Sequence, residues 1–457
     1  MITQPTLCAI RFGAGLSPDF APPEDGAALM ASIAAEAAST DFPVTPWPTR
    51  HLRARARRDA RRGLRPRDGS DPDPEARQDL RAINRADRDD SFTDLVAMLA
   101  RLAYAPVGFH ARLMRFWSNH FAAEARGSRL RFVRATYGDA ALRPHLMGDF
   151  KDLLRAAVLH PVMLTYLDQT RSIGPLSRAG RRNDRGLNEN LAREMLELHT
   201  LGASGSYTQE DVSQLARLLT GVTYSVTHGF RFRSSIAEPG IIEIFGKRYG
   251  GRPVRLDHIH EVLDDLAMHP DTAAHLARSL ARHFIADSPD PQLLAHMTAR
   301  YLDTGGHLPA LYKAMLEHPG AWQPPLAKTR APLEMMAASL RALALPPQQL
   351  TGLRSGEIRR LLIGPLRAMG EPHQRIPSPA GYGEDAAYWI TPQGLAARID
   401  WAMGLAQLAP GDRDPREFVD IALADAASDP LRRAAAGAET RAQGIGMILA
   451  APDFNRR

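Results

Sequence analysis

Along most of the chain apolar residues return every third or fourth position, the spacing of a helix that buries one face. In VSQLARLLTG, Val212, Leu215, Ala216 and Leu219 share a face, Thr208 and Asp211 form a capping box ahead of them, and Gly221 supplies the stop. A helix running to about Phe121 through FHARLMRFWSNHF follows from the same spacing, and Ser91 with Asp94 predicts a capping box opening SFTDLVAMLARLAYA, which Pro106 closes or restarts. From Leu256 onward the pattern continues in HIHEVLDDLAMHP, TAAHLARSLARHF, LPALYKAMLEHP and APLEMMAASLRAL. Strand-like alternation is confined mainly to GFRFRS and IIEIFGKRY, separated by the turn-prone IAEPG, which predicts a short hairpin. The expected fold is mainly α, a large multi-helical body with a small β-hairpin insert near the middle. It divides into an N-terminal helical segment with an Arg-rich stretch (1–90), a helical core (91–225), the hairpin insert (226–255) and a C-terminal helical lobe (256–457). Pro- and Gly-rich joints fall at 41–48, 171–187 and 371–383.

VLHP at 158–161, AMHP at 267–270 and LEHP at 316–319 each close an apolar run with His-Pro. Imidazole can bond the free carbonyls at a helix C-terminus, and proline stops propagation. His160, His269 and His318 are therefore expected to be helix-terminating rather than metal-binding.

Hydrophobic residues at 44% and charged residues at 24% exclude a disordered or collagen-like chain. Cys8 is the only cysteine, which excludes an intramolecular disulfide and a Cys-based zinc site. The N-terminus lacks a basic region followed by an apolar stretch, and no apolar run approaches the roughly 18 residues of a membrane span, so a cytoplasmic protein is expected. The net charge of +6 is local: residues 50–67 hold nine Arg and one Asp, or +8, and the remainder carries 48 basic against 50 acidic residues, or −2. Residues 68–90 follow with eight acidic side chains and four Arg, so neutralisation by this neighbour is favoured over a polyanion-binding arm. The block contains no interleaved aromatics, which argues against nucleic acid.

Charge is most concentrated in NENLAREMLELH, residues 188–199. At about 100° per residue, Glu189, Asn190, Arg193, Glu194 and Glu197 fall within one sector of about 140°, beside an apolar sector of Leu191, Met195 and Leu198. A solvated ion-pair face, a buried structural network and a pocket wall all fit that pattern. Glu194 and Glu197 could share an ion only with ligands from another helix, since His199 points elsewhere; no metal is assigned. On the helix holding RFWSNHF, His120 lies within an apolar face, where it is either a core residue or a general acid or base beside a carboxylate. Asp211 is explained by capping, and Arg217 lies on the polar side of its helix. Phosphate-binding glycine loops, nucleophile elbows and HExxH motifs are absent from the sequence.

The stretch NENLAREMLELHTLGASGSYTQEDVSQLARLLTG resembles the signature of the bacterial family called domain of unknown function 1800. RFGAGLSP, RFWSNHF, HPVMLTYLD, LARSLARHF, KTRAPLE and IPSPAGYGEDAAYW look like family segments in the family's order, covering roughly residues 8–408. The resemblance implies a helical fold and no established reaction. It carries over Trp117, Asn119, His120, Asn188, Glu189, Asn190, Arg193, Glu194, Glu197, Asp211 and Arg217 as the motif's polar positions. Two departures stand out: Ala237-Glu238 occupies the place of a frequent His-Asp pair, and Gln169 replaces a frequent Asn. The resulting expectation is an enzyme-like pocket in which Glu194, Glu197 and His120 handle protons. Trp117, Asn119, Asn188, Glu189, Asn190, Arg193, Asp211 and Arg217 would bind a small anionic or saccharide-like ligand, with no cofactor assigned. The alternative is a non-catalytic helical accessory or scaffold protein, with a partner docking on the surface through the Arg-rich segment 50–67. Family members often lie beside genes for a second family that looks like alkaline phosphatases and sulfatases, so the resemblance implies a shared pathway with such a protein as a partner.

Overall fold

In the computed structural model the described residues are 2–64, 71, 73–124, 130–182, 186–323 and 325–457. Arg65 and Arg67 of the Arg-rich block and residues 183–185 of the second joint lie outside them.

The Arg-rich helix Trp47–Gly63 packs against a second long helix, Pro74–Ala103. Arg50 reaches Asp87 at 3.4 Å and Asp94 at 2.6 Å, Arg53 pairs with Asp87 and Asp90, and Arg57 pairs with Asp87. Cross-helix neutralisation of this kind lets the charged stretch 74–90 run on as helix, which corrects the expectation of a start at Ser91. Ser91 is mid-helix with Oγ 2.7 Å from His373 Nε2, and Asp94 is a buried ion-pair partner rather than a cap.

Apolar faces gather into two cores. The larger joins helices from Phe109–His120 through Leu308–Glu317, and the smaller joins the N-terminal turn, the second half of Pro74–Ala103 and the C-terminal helices. Within the smaller core, every residue of Pro332–Ala342 is buried, so its two charged side chains need internal partners. Arg341 finds the carbonyls of Gly15, Ala103, Ala105 and Pro106, tying the N-terminal turn to the C-terminal half.

The β insert is present as two hairpins. Strand β1 (Val222–Ser225) pairs antiparallel with β2 (Gly229–Phe232), and β3 (Gly240–Ile244) pairs with β4 (Lys247–Gly251). GFRF and IIEI thus pair each with its own neighbour and not with each other. Thr208 and Asp211 form the predicted capping box, and Asp211 also accepts Phe245 N at 3.0 Å, joining the helix to the β3–β4 turn.

His-Pro works differently from expectation. Nδ1 of His160, His269 and His318 accepts the backbone N–H two residues later, at 3.2, 3.1 and 3.1 Å. Each imidazole caps the start of the helix that follows, with proline in its first turn, rather than the end of the one before. Among the described residues no helix is long and apolar enough to cross a membrane.

Candidate functional site

The signature stretch is not one regular helix. Asn190–Glu194 is α-helical and Met195–His199 continues as a π-turn. Asn188 and Glu189 precede it, and Asn188 Oδ1 accepts Asn190 N at 2.9 Å. Glu189 receives Ser213 Oγ at 2.5 Å, Gln209 Nε2 at 3.0 Å and Arg193 Nη2 at 3.1 Å, and these bonds, led by that of Ser213, lower its pKa. The Glu194 carboxyl is pushed upward by burial and by the charge of Glu197, with Arg193 opposing. Burial and Glu197 likewise raise the Tyr207 phenol, which places Arg193, Glu194, Glu197 and Tyr207 in one electrostatic group.

The wider π-turn carries His199 inward, where it is fully buried and neither ring nitrogen has a hydrogen bond. His120 Nε2 lies 3.1 Å from the His199 carbonyl oxygen and His275 Nε2 lies 3.0 Å from that of Leu198, so each donates there. Burial holds His120 well below its ordinary pKa, leaving it neutral. Trp117 is buried and donates Nε1 to Tyr312 Oη at 2.8 Å. Arg217 is half-buried with an unbonded Nε. Asn188, Glu189 and Asn190 share with Thr170, Arg171 and Tyr224 a wide polar cleft of about 880 Å³.

Asn119 faces a different site, where four of the family-like segments meet. The helix Phe109–His120 is aimed there by Glu36, whose carboxylate accepts the N–H groups of Val107, Gly108 and His110 at its N-terminus. Asn119 Oδ1 accepts Tyr382 N at 2.8 Å, and its Nδ2 donates to Tyr382 O and to Glu384 Oε1. Gly381 has φ +76°, and a Cβ there would stand 2.3 Å from Asn119 Oδ1, so glycine is what lets this loop lie on the amide.

Beneath the loop is a buried ion network. Glu334 is reached by Arg457 Nε at 3.0 Å, Arg112 Nε at 3.1 Å and Arg115 Nε at 3.5 Å, and Arg115 Nη2 also bonds Glu371 at 2.9 Å. Burial alone would raise the Glu334 pKa; the guanidinium groups overcome it and hold the carboxyl well below its ordinary value. Beside this network, Glu384 binds His283 Nδ1 at 2.9 Å. Burial opposes ionisation of Glu384, but His283, Arg457 and Lys328 prevail and bring its pKa to about 2. Burial lowers the His283 pKa despite the carboxylate, so the ring is a neutral imidazole donating from Nδ1. Its Nε2 is buried without a hydrogen-bond partner.

His283 and Glu384 line a pocket of about 90 Å³ together with Arg115, Ser118, Asn119 and Arg134. The Arg134 guanidinium lies 5.2 Å over the Tyr382 ring, and among the described residues it has no carboxylate partner. Of the residues expected from the sequence, only Asn119 lines this pocket. His283, Glu384 and Arg134 were missed, although the first two stand inside the segments LARSLARHF and GYGEDAAYW. His283 closes the apolar run LARSLARHF, whereas Glu384 follows a Pro- and Gly-rich joint. Among the described residues no group of three or more His, Cys, Asp or Glu side chains is placed to hold a metal ion.

A family model described as a protein of unknown function, DUF1800, matches residues 10–456. No curated protein and no solved structure matches the chain.

Proposed function

Because the chain belongs to the DUF1800 family of proteins of unknown function, a reaction has to be read from its own side chains, and we propose acid–base chemistry on a small anionic ligand in the pocket beside Asn119. The observation that carries this reading is the His283–Glu384 pair: Nδ1 is held by a carboxylate while the buried Nε2 has no partner. A histidine oriented in this way keeps a lone pair on Nε2. It can take a proton from a ligand O–H or C–H, and Glu384 stabilises the imidazolium that results. Asn119 fixes Glu384, acting as a positioning residue. Arg134, without a carboxylate partner among the described residues, is the group that would hold the ligand's negative charge. The volume of about 90 Å³ suits a small ligand or a single anionic head group.

A thermal-shift panel of small carboxylates and phosphate monoesters tests the reading. At least one compound should raise the Tm of the native protein, and Arg134→Ala should abolish that shift while leaving the Tm without ligand unchanged. A panel with no stabilising member, or an unaltered shift in Arg134→Ala, overturns it.

A second reading keeps Glu194, Glu197 and His120 as proton-handling groups, with Arg193 and Arg217 binding the ligand. Its support is the raised carboxyl of Glu194 next to the charge of Glu197, the arrangement that divides acid and base roles between two carboxylates. The cleft bearing Asn188, Glu189 and Asn190 offers amides and a carboxylate to a polyhydroxylated ligand. Oligosaccharide binding lost in Arg193→Ala would favour it, and binding unchanged by that substitution removes it. If both ligand screens fail, the non-catalytic accessory reading is the one left standing.

A further inference from the structure

Arg50, Arg53, Arg57 and Arg58 of the basic N-terminal block are answered by aspartates, whereas a second group elsewhere is not. Arg178, Arg181, Arg182, Arg231 and Arg233 are all exposed, and none has a carboxylate partner among the described residues. The fold brings them together. Gly174 N donates to Ile236 O at 2.9 Å and Ala179 N to Ser235 O at 3.0 Å, laying the loop that carries Arg178, Arg181 and Arg182 against the chain leaving β2. On that chain Arg231 and Arg233 are two residues apart, on one face and about 7 Å from each other. On the opposite face of β2 Phe230 and Phe232 stand across from Tyr224 and Val222, Phe232 half-buried and Phe230 exposed. Glu238, the carboxylate of this stretch, is buried and occupied by Leu176 N at 2.8 Å. In the same loop Leu176 is 55% exposed.

We propose that this face, five arginines without a carboxylate partner among the described residues beside an exposed leucine, docks the protein on an anionic lipid surface. Guanidinium groups pair with headgroup phosphates through parallel N–H bonds, and a leucine beside them has an apolar layer to enter. The arginine face bears no aromatic ring on which bases could stack, which favours lipid over single-stranded nucleic acid. Docking of this type requires no spanning helix and is independent of the chemistry assigned to the His283 pocket.

Sedimentation of the full chain with vesicles tests the proposal, using phosphatidylcholine alone and phosphatidylcholine with about a third phosphatidylglycerol. Binding should require phosphatidylglycerol and weaken as salt rises from about 0.1 M to 0.5 M, because the Debye length shrinks. Each basic residue near an anionic leaflet is worth about fivefold in partitioning, so the triple variant R178E/R181E/R182E should lose at least about 100-fold. L176S should weaken binding at high salt as well as low. If the triple variant unfolds more easily than the native protein, R231E/R233E repeats the measurement with substitutions outside the loop. The proposal is overturned if the native protein does not sediment with phosphatidylglycerol vesicles at low salt. It is also overturned if the charge-reversed variants bind as well as the native chain, or if an oligonucleotide binds more tightly than the vesicles do.

Discussion

Glu334 is the only acid in a helix buried on every side, and three guanidinium groups converge on it. Replacing it by Gln keeps the shape of the side chain and removes the charge, leaving Arg112 and Arg457 buried with their positive charges unanswered. We expect Glu334→Gln to lose about 3–5 kcal/mol of unfolding free energy, measured by urea denaturation. A loss below about 1 kcal/mol would mean that water already screens the network. At this scale the sequence was partly legible. Asn119 stands in a segment the sequence singled out, but it lines a pocket apart from the charged stretch it was expected to join. Glu334 was visible as a lone carboxylate in an apolar run, yet nothing in local spacing says that Arg112 and Arg457 will meet it from distant parts of the chain. A carboxylate in such a run has to be paired, and that physical rule marks Glu334 without naming its partners.

Elements repeat the lesson in another form, because a local motif is read correctly only when both flanks are known. Ser91 and Asp94 have the spacing of a capping box, but the residues before them are helical once their aspartates pair with Arg50, Arg53 and Arg57. Periodicity located the helix face and could not see the partner that extended it. His-Pro shows the converse: a residue that ends one helix is also the first position before the next, and the imidazole serves the later one. For His160 this gives a direct test. Asn is a good N-cap and should hold stability within about 0.5 kcal/mol of the native value in His160→Asn, whereas His160→Ala should cost at least about 1 kcal/mol. Equal losses in thermal unfolding would mean that packing against Trp47 and Tyr137, rather than the cap, is what His160 contributes. The π-turn at Met195–His199 is the element that the 100° rule could not anticipate, although that rule already pointed His199 away from the charged face.

Across the whole molecule, burial leaves seven histidines shifted in the same direction. His110, His160 and His373 have pKa values lowered to about 4 and His199 to about 3, with burial the main cause; His120, His275 and His283 are also lowered. An unfolded histidine titrates near 6.5, so below that pH the unfolded chain binds protons that the folded one excludes. The stability these groups contribute is fully present above pH 6.5 and is lost as pH falls toward 4, at about 1.4 kcal/mol per pH unit for each excluded proton. Asp94 and Glu194 are shifted upward and act in the opposite sense, but they are two against seven. Glu384, with a pKa of about 2, adds to the slope in the same sense as the histidines only below about pH 5, where the unfolded carboxyl begins to bind protons. The urea midpoint should therefore fall steeply between pH 6.5 and 5, with uptake of several protons on unfolding. A midpoint that is flat over that interval would mean that water reaches these rings in the folded state. It would also remove the basis for treating His283 as a dry, neutral base, because the burial that keeps its Nε2 without a partner is the same burial that makes the protein acid-labile.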